Sequence, residues 1–386
     1  MYYTYRYKRR PRQINIDDVL DSLFEGVDYH EPVDGVNAVY KDLTYPRFRT
    51  IVVSPTNLTE DQQRATTNYI HKIKILTEQM EYWLLQHQAD MVYHEFKIPK
   101  ATGGFREIKA PGDVLKTYMR EVKGTLEHIG VLPHDSAYAY IKERDCKKAL
   151  ERHQDHHANW FLKLDISGFF NHCSPDFIKR QLRLIYPFTL MEDSWYNRFV
   201  DTLCRLACLN NELPQGTPLS PLITNWLMVP LDHQINKMLN SLDDNFFTYT
   251  RYADDMLISC KEKFDNNEVV SLIKAILLEM NTPFEIKDAK TRYGSKAGRN
   301  WNLGIMYNKD NNLTVGYRRK RRIKTMLFQF YQGERTWAYA VELNGELAYL
   351  KNIEPDYFNH MITAMNNKYN FNFMYEINRA LKQRPE

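Results

Sequence analysis

The 386-residue chain reads as an α+β protein, and three features carry that reading. One is Phe246-Phe247-Thr248-Tyr249-Thr250-Arg251-Tyr252-Ala253-Asp254-Asp255-Met256-Leu257-Ile258-Ser259, where two adjacent acids separate two apolar, β-branched and aromatic runs. Such a pattern predicts a strand, a tight turn and a returning strand. Another is Trp160-Phe161-Leu162-Lys163-Leu164-Asp165-Ile166-Ser167-Gly168-Phe169-Phe170, an apolar strand with a single carboxylate, after which Gly168 lets the chain turn. The third is the set of helical segments between and after these strands, which do not alternate with them as in a parallel α/β fold.

Taken in order, Ile14 to Leu23 predicts a short amphipathic helix and Pro46 to Pro55 an extended stretch. Thr59-Glu60-Asp61-Gln62 opens a helix to about Ala89, with Thr59 as its cap. Asp90 to Ala110 reads as a hairpin around a Thr-Gly-Gly turn. Helices are predicted over Val114 to Ile129, Cys146 to His153, Phe177 to Leu184 and Glu192 to Leu209. Ser220 to Leu242 reads as one long helix, and Val269 to Met280 as another. The helix after Phe170 is expected to start near Ser174-Pro175-Asp176, and Val315 to Glu386 turns largely helical.

Composition bounds the function class. The chain is 43% hydrophobic and 26% charged, an ordinary globular balance. Net charge is only +4, but positive residues cluster: Arg6, Lys8, Arg9, Arg10 and Arg12, then Arg318, Arg319, Lys320, Arg321, Arg322 and Lys324. Clustering of this kind is the footprint of a phosphate backbone; the other reading is a solvated face. The second run is too dense to be expected to pack against protein. The five cysteines have no paired spacing, which argues against a disulfide framework and a zinc site. Cys204 and Cys208, four apart, read as helix packing. No signal peptide or membrane-length apolar run is visible, so a cytoplasmic, reducing location with no membrane partner is expected. The histidines of Glu151-Arg152-His153-Gln154-Asp155-His156-His157 are read as a solvated helix end rather than a metal site.

Carboxylates are depleted in strands, so Asp254-Asp255 at a hairpin tip needs a reason. A hard divalent cation is one, and a solvated turn is the other. A lone Asp165 within an apolar strand would be a costly unpaired charge. If Asp165 lies beside Asp254 and Asp255, the three can hold two Mg²⁺ ions for phosphoryl transfer.

At this point the chain resembles a reverse transcriptase of the bacterial retron and group II intron type. Tyr252-Ala253-Asp254-Asp255 matches that family's catalytic box, and Leu164-Asp165 through Phe169-Phe170 its first-aspartate motif. Leu213-Pro214-Gln215-Gly216-Thr217-Pro218-Leu219-Ser220-Pro221 matches its Gln-Gly-x-Pro-x-Ser-Pro segment. Ile98-Pro99-Lys100 and Gly103-Gly104-Phe105-Arg106-Glu107-Ile108 resemble the fingers motif; Lys290-Thr291 and Leu303-Gly304-Ile305 follow in the expected order. The resemblance runs from about Lys97 to Asn308. It implies a right-hand polymerase fold: an N-terminal extension over 1–90, fingers and palm over 91–310, and a small helical thumb over 311–386.

The same resemblance implies roles. Asp165, Asp254 and Asp255 hold two Mg²⁺ ions, or Mn²⁺, with Ile166 included in the metal set. Asp254 is the more direct ligand of the pair. Phe170 is a steric gate beneath the incoming sugar that favours dNTPs; the other reading is plain core, for it or for Phe169. Gln215 and Gly216 position the nucleotide, Gly by close backbone approach. Arg106 forks onto the triphosphate, helped by Lys100. Lys290 donates a proton near the leaving pyrophosphate, with Lys287 close enough in sequence to compete for that role. Arg318, Arg319, Lys320, Arg321 and Arg322 bind phosphates of RNA or of the RNA–DNA hybrid.

Two retron signatures are missing. Asn-Ala-x-x-His is absent from 171–212, and Leu313-Thr314-Val315-Gly316-Tyr317 is only reminiscent of the Val-Thr-Gly box. The expectation is therefore a stand-alone enzyme near the retrons or a defence-associated reverse transcriptase. It would copy a structured non-coding RNA that serves as template and as a candidate primer. A catalytically idle RNA-binding scaffold and an RNA-dependent RNA polymerase are the competing readings; the intact acid triad argues against the first, Phe170 and the Gln-Gly segment against the second.

Overall fold

A computed structural model describes residues 60–99, 103–242, 247–296, 299–302 and 304–384. The expectations for Ile14 to Leu23, Pro46 to Pro55, the N-terminal basic cluster, Thr59, Lys100 and Leu303 fall outside these residues. The chain begins with α1 (Glu60–Gln86), which buries Ile73, Leu76, Thr77, Met80 and Leu84 at helical spacing. A hairpin follows, β1 (Tyr93–Pro99) and β2 (Phe105–Pro111), paired antiparallel with Ile98 opposite Arg106. Its turn uses Gly103 and Gly104 at φ +88° and +78°, values that favour glycine. Next comes α2 (Asp113–Leu126), held to α1 by Trp83 stacked on Tyr118 at 4.3 Å between ring centres.

The central sheet is built from β3 (Trp160–Asp165), β4 (Thr248–Tyr252), β5 (Asp255–Cys260) and β6 (Arg292–Ser295), in the order β4-β5-β3-β6, all antiparallel. Helix α3 (Cys146–Asp155) precedes β3; α4 (Pro175–Leu182), α5 (Asp193–Ala207), α6 (Ser220–Leu227) and α7 (Val229–Leu242) lie between β3 and β4, and α8 (Asn266–Glu279) follows β5. Ser174 caps α4 by accepting from the Phe177 amide at 3.3 Å, as its sequence predicts. The expected single helix over Ser220 to Leu242 is two. Pro230 lacks the amide a continuous helix would need, so the chain restarts after Met228 with proline in the first turn.

Strand alternation divides the sheet. Leu162, Leu164, Met256 and Ile258 point into one large core shared with the helices. The opposite face carries Phe161 and Leu257, which join a second core with Trp301, Tyr307 and the C-terminal helices. Continuing along that face towards the strand ends come Lys163, then Asp165 and Asp255. A short pair, β7 (Met306–Tyr307) and β8 (Leu313–Thr314), leads into α9 (Gly316–Gln332), α10 (Trp337–Ile353), α11 (Pro355–Tyr369) and α12 (Phe373–Leu381).

The histidine reading needs correction. His153 is fully buried and lies 2.5 Å from Ser259 Oγ and 2.8 Å from Thr250 Oγ1, while His156 Nδ1 meets Thr248 Oγ1 at 2.7 Å. They fasten α3 to β4 and β5; only His153 leaves solvent, while His156 and His157 are exposed at the helix end as expected. Burial drives the His153 pKa down to about 3, so the ring is neutral.

Candidate active site

The sheet register creates the site. Asp165 ends β3 directly opposite Asp255, the first residue of β5. Tyr252 also pairs with Asp255, leaving Ala253 and Asp254 as a two-residue turn. Ala253 takes φ +56°, the left-handed backbone that such turns require and a side chain resists. The Ile166 amide donates to the Asp254 carbonyl at 2.9 Å, fixing the turn against the end of β3.

The carboxylates differ in surroundings. Asp165 is 5% exposed, and its Oδ2 accepts from Lys290 Nζ at 2.6 Å. Asp255 accepts from Lys163 Nζ at 2.8 Å. Among the described residues Asp254 makes no direct ion pair, and Lys290 acts on it only at longer range. Burial first, then Asp255 and Asp165, push its pKa above the ordinary carboxylate value. Among the described residues, no group of three or more His, Cys, Asp or Glu side chains converges on a metal position. The donors are nonetheless the hard oxygen ligands that Mg²⁺ prefers, and among the described residues Asp254 is the carboxylate that no lysine pairs directly. The set fits a divalent ion once the two lysines yield their carboxylates.

Lys290, on a short 3₁₀ turn over Asp288–Lys290, is the lysine that reaches Asp165 with its side chain. Lys287 contributes only its amide, which donates to the Asp165 carbonyl at 2.8 Å. Phe169 is buried, while Phe170 is partly exposed and stands edge-on to it at 5.5 Å. The core member of that pair is thus Phe169. Ile166 is buried against the turn. Gly216 has φ +112°, and a Cβ there would lie 2.7 Å from Ile108 Cγ2. The Lys109 amide donates to the Gln215 carbonyl at 2.8 Å, so the Gln215-Gly216 loop is seated on β2. Arg106 lies exposed on the same strand face as Ile108.

The basic run behaves differently from its expectation. Arg319 binds Glu346 at 2.7 Å, Lys320 binds Glu354 at 2.5 Å and Arg322 binds Glu342 at 2.6 Å. Arg319 and Lys320 also lie 4.0 Å over the rings of Tyr349 and Tyr357. The run does pack against protein, because α10 and α11 supply glutamates and tyrosines to meet it. Arg318 and Arg321 are exposed and make no side-chain hydrogen bond or ion pair among the described residues. They line a groove of about 690 Å³ with Tyr317, Gln329 and Tyr339.

Sequence reasoning missed several residues. Lys163 carries no motif signal beyond sharing a strand face with Asp165. Arg251 and Asp232 form a fully buried pair behind the turn, at 2.8 Å. Tyr140 is 55% exposed at φ +61°, a strained backbone for a bulky residue. Burial, then Asp254, raise its hydroxyl pKa, while Arg106 lowers it.

A family model described as reverse transcriptase (RNA-dependent DNA polymerase) matches residues 98–324. The chain belongs to the reverse transcriptase family. This reverse transcriptase is 28% identical to the retron Ec73 reverse transcriptase of Escherichia coli, over 71% of its own length and 86% of that protein. It is 29% identical to the retron Ec83 reverse transcriptase of the same organism, over 72% and 88%. A solved apo telomerase from Candida tropicalis aligns at TM-score 0.46 and 12% identity, covering 75% of this chain and 61% of that one. The enzyme is an RNA-directed DNA polymerase, a nucleotidyltransferase. Among the described residues no helix is long and apolar enough to cross a membrane.

Proposed function

We propose that this reverse transcriptase adds dNTPs to a primer on a dedicated structured non-coding RNA, with Asp165, Asp254 and Asp255 as the centre of the reaction. The observation that carries the reading is the direct pairing of Asp165 with Asp255 beside the Asp254 turn, with Lys290 at 2.6 Å from Asp165. Bound divalent ions would supply Lewis-acid charge at the reacting phosphate. Residues 91–310 act as fingers and palm and 311–386 as thumb.

The chain's own residues do the rest. Arg106 grips the triphosphate, and the Gln215-Gly216 loop, fixed to β2, sets the position of the nucleotide. Lys290 is half exposed and close to Asp165, a fitting place from which to pass a proton to the leaving pyrophosphate. Phe170 lies in the turn five residues after Asp165, where its ring would crowd a 2′ hydroxyl. Arg318 and Arg321 face phosphates of RNA or of the RNA–DNA hybrid. The retron names of the relatives support a retron-like setting, with anti-phage defence in the cytoplasm as the biological role.

Primer extension tests the centre of this reading. Asp254→Ala with Asp255→Ala abolishes dNTP incorporation while circular dichroism and RNA binding stay near wild type, and EDTA stops the wild-type enzyme. Normal extension by that double variant in Mg²⁺ refutes the role given to the acids. Phe170→Ala admits rNTPs, read as the ratio of rNTP to dNTP incorporation; an unchanged ratio with intact dNTP use assigns Phe170 to packing.

A further inference from the structure

Behind the catalytic turn, on the sheet face opposite the carboxylates, lies a charge pair with no contact to solvent. Arg251 and Asp232 both have fully buried side chains. Arg251 Nε donates to Asp232 Oδ1 at 2.9 Å and Nη2 to Oδ2 at 2.8 Å, a two-pronged arrangement. Tyr249 donates its hydroxyl to Asp232 Oδ1 at 2.7 Å. The remaining prong, Nη1, reaches forward to the Ala253 carbonyl at 3.1 Å and the Asn225 side-chain oxygen at 3.3 Å. Asn225 in turn donates to the Ala139 carbonyl at 2.8 Å. The Arg251 main chain pairs with the same segment, its amide donating to Ser136 and its carbonyl accepting from Tyr138.

A buried ion pair is a poor source of stability, because removing two charges from water costs several kcal/mol per ion, which their attraction often fails to offset. Its best-attested use is to fix one arrangement against others. Here the arrangement is the turn: Ala253 is held at φ +56°, and its carbonyl is the next peptide group before Asp254. A side chain at positive φ costs energy that surrounding contacts must offset. The guanidinium is the contact that does so, and Asp232 on α7 locks the guanidinium.

We propose that the Asp232–Arg251 pair is a positioning device that sets the orientation of Asp254 by holding the Ala253 carbonyl from beneath. This deepens the catalytic reading of Asp254 and rests on it. Lysine at 251 keeps the charge pair but, as a single ammonium, lacks the planar fork that spans Asp232 and Ala253 together. Arg251→Met with Asp232→Leu removes both buried charges and so avoids leaving one uncompensated.

The test compares Arg251→Lys and the Arg251→Met/Asp232→Leu double variant with wild type, full-length, on a primed RNA template. The expected result is a kcat about 10²-fold lower, the size of effect that a shift of about 1 Å at a reacting group produces. The KM for dNTP stays within about two-fold, because the nucleotide contacts are elsewhere, and the melting temperature shows both variants folded. A folded variant whose kcat lies within about three-fold of wild type overturns the proposal, as does failure of both variants to fold, which makes the pair a stability element. Loss of activity in Asp254→Ala/Asp255→Ala alongside active Arg251 variants refutes this inference alone, whereas retained activity in the aspartate variant refutes the catalytic reading beneath it.

Discussion

At the tip of β4 and β5, Asp165 pairs with Asp255 beside the Asp254 turn, and Asp255 and Asp165 are each met by one lysine, Lys163 from β3 and Lys290 from the 3₁₀ turn. Along the first turns of α9, a run of arginines and lysines is met by three glutamates and two tyrosines from neighbouring helices. Among the described residues the acid cluster keeps one member, Asp254, without a direct ion pair, and the basic run keeps Arg318 and Arg321 without one. Charge density in a sequence therefore does not state how much charge is offered to a ligand. The two leftovers differ in setting: Arg318 and Arg321 are exposed, whereas Asp254 is largely buried at the turn.

The comparison predicts which ion pairs serve chemistry and which only the fold. Lys290 is half exposed beside a buried Asp165, so its pair is available for chemistry. Lys290→Leu lowers kcat by about 10²-fold or more if the lysine is the proton donor, besides costing about 1–3 kcal/mol of stability because Asp165 loses its partner. A rate near wild type with a lower melting temperature would place Lys290 with the structural pairs of α9. Smaller effects are expected there. Arg318→Ser with Arg321→Ser weakens RNA binding and lowers the salt slope by up to about 1.8, from about 0.9 per lost phosphate contact. Arg319→Ser with Lys320→Ser leaves that slope alone and costs about 1–3 kcal/mol of stability, because Glu346 and Glu354 lose their partners. Titrations at several salt concentrations, paired with thermal melts, separate the two sets; equal slopes for both would erase the distinction.

The smallest effect concerns His153. Its folded pKa of about 3 lies below the 6.5 of an unperturbed ring, so folding favours the neutral form. The unfolded chain takes up the proton first as pH falls. Stability from this group is complete above pH 6.5 and declines below it, at about 1.4 kcal/mol per pH unit towards pH 3. Unfolding curves at pH 7.5 and 5.5 should show this loss in wild type and a shallower one in His153→Asn.

Much of the catalytic geometry was legible because strand alternation and turn length are local. Asp165, Asp254 and Asp255 could be placed on two strands and a turn from residue types alone, and their convergence then followed from one antiparallel pairing. The α+β organisation and most helices were legible for the same reason. What stayed hidden depends on partners far along the chain. Nothing near Arg319 announces Glu346, and nothing near His153 announces Ser259 and Thr250. Asp232 reads as a helix-surface acid until Arg251 is found behind the sheet. The break at Met228 was visible in Pro230, yet the apolar run around it made one helix look continuous. Tyr140 carries its signal only in its backbone angle.

The seating of β2 has a mechanical meaning. Lys109 is fixed to the Gln215 carbonyl by its amide and to Glu212 by its side chain at 2.6 Å, while Gly216 leaves only enough room for Ile108. The hairpin is thus clamped at its root, and its described residues from Gly103 to Glu107 are exposed, like the arm of a cantilever. Arg106 sits three residues beyond the clamp, an arm of about 10 Å at strand rise. Any flexing of the hairpin swings Arg106 through an arc while the Gln215 loop stays still. On the roles proposed for Arg106 and the Gln215 loop, gripping the triphosphate and placing the sugar would be separate movements of one hairpin and one loop, with Ile108–Lys109 as the fulcrum.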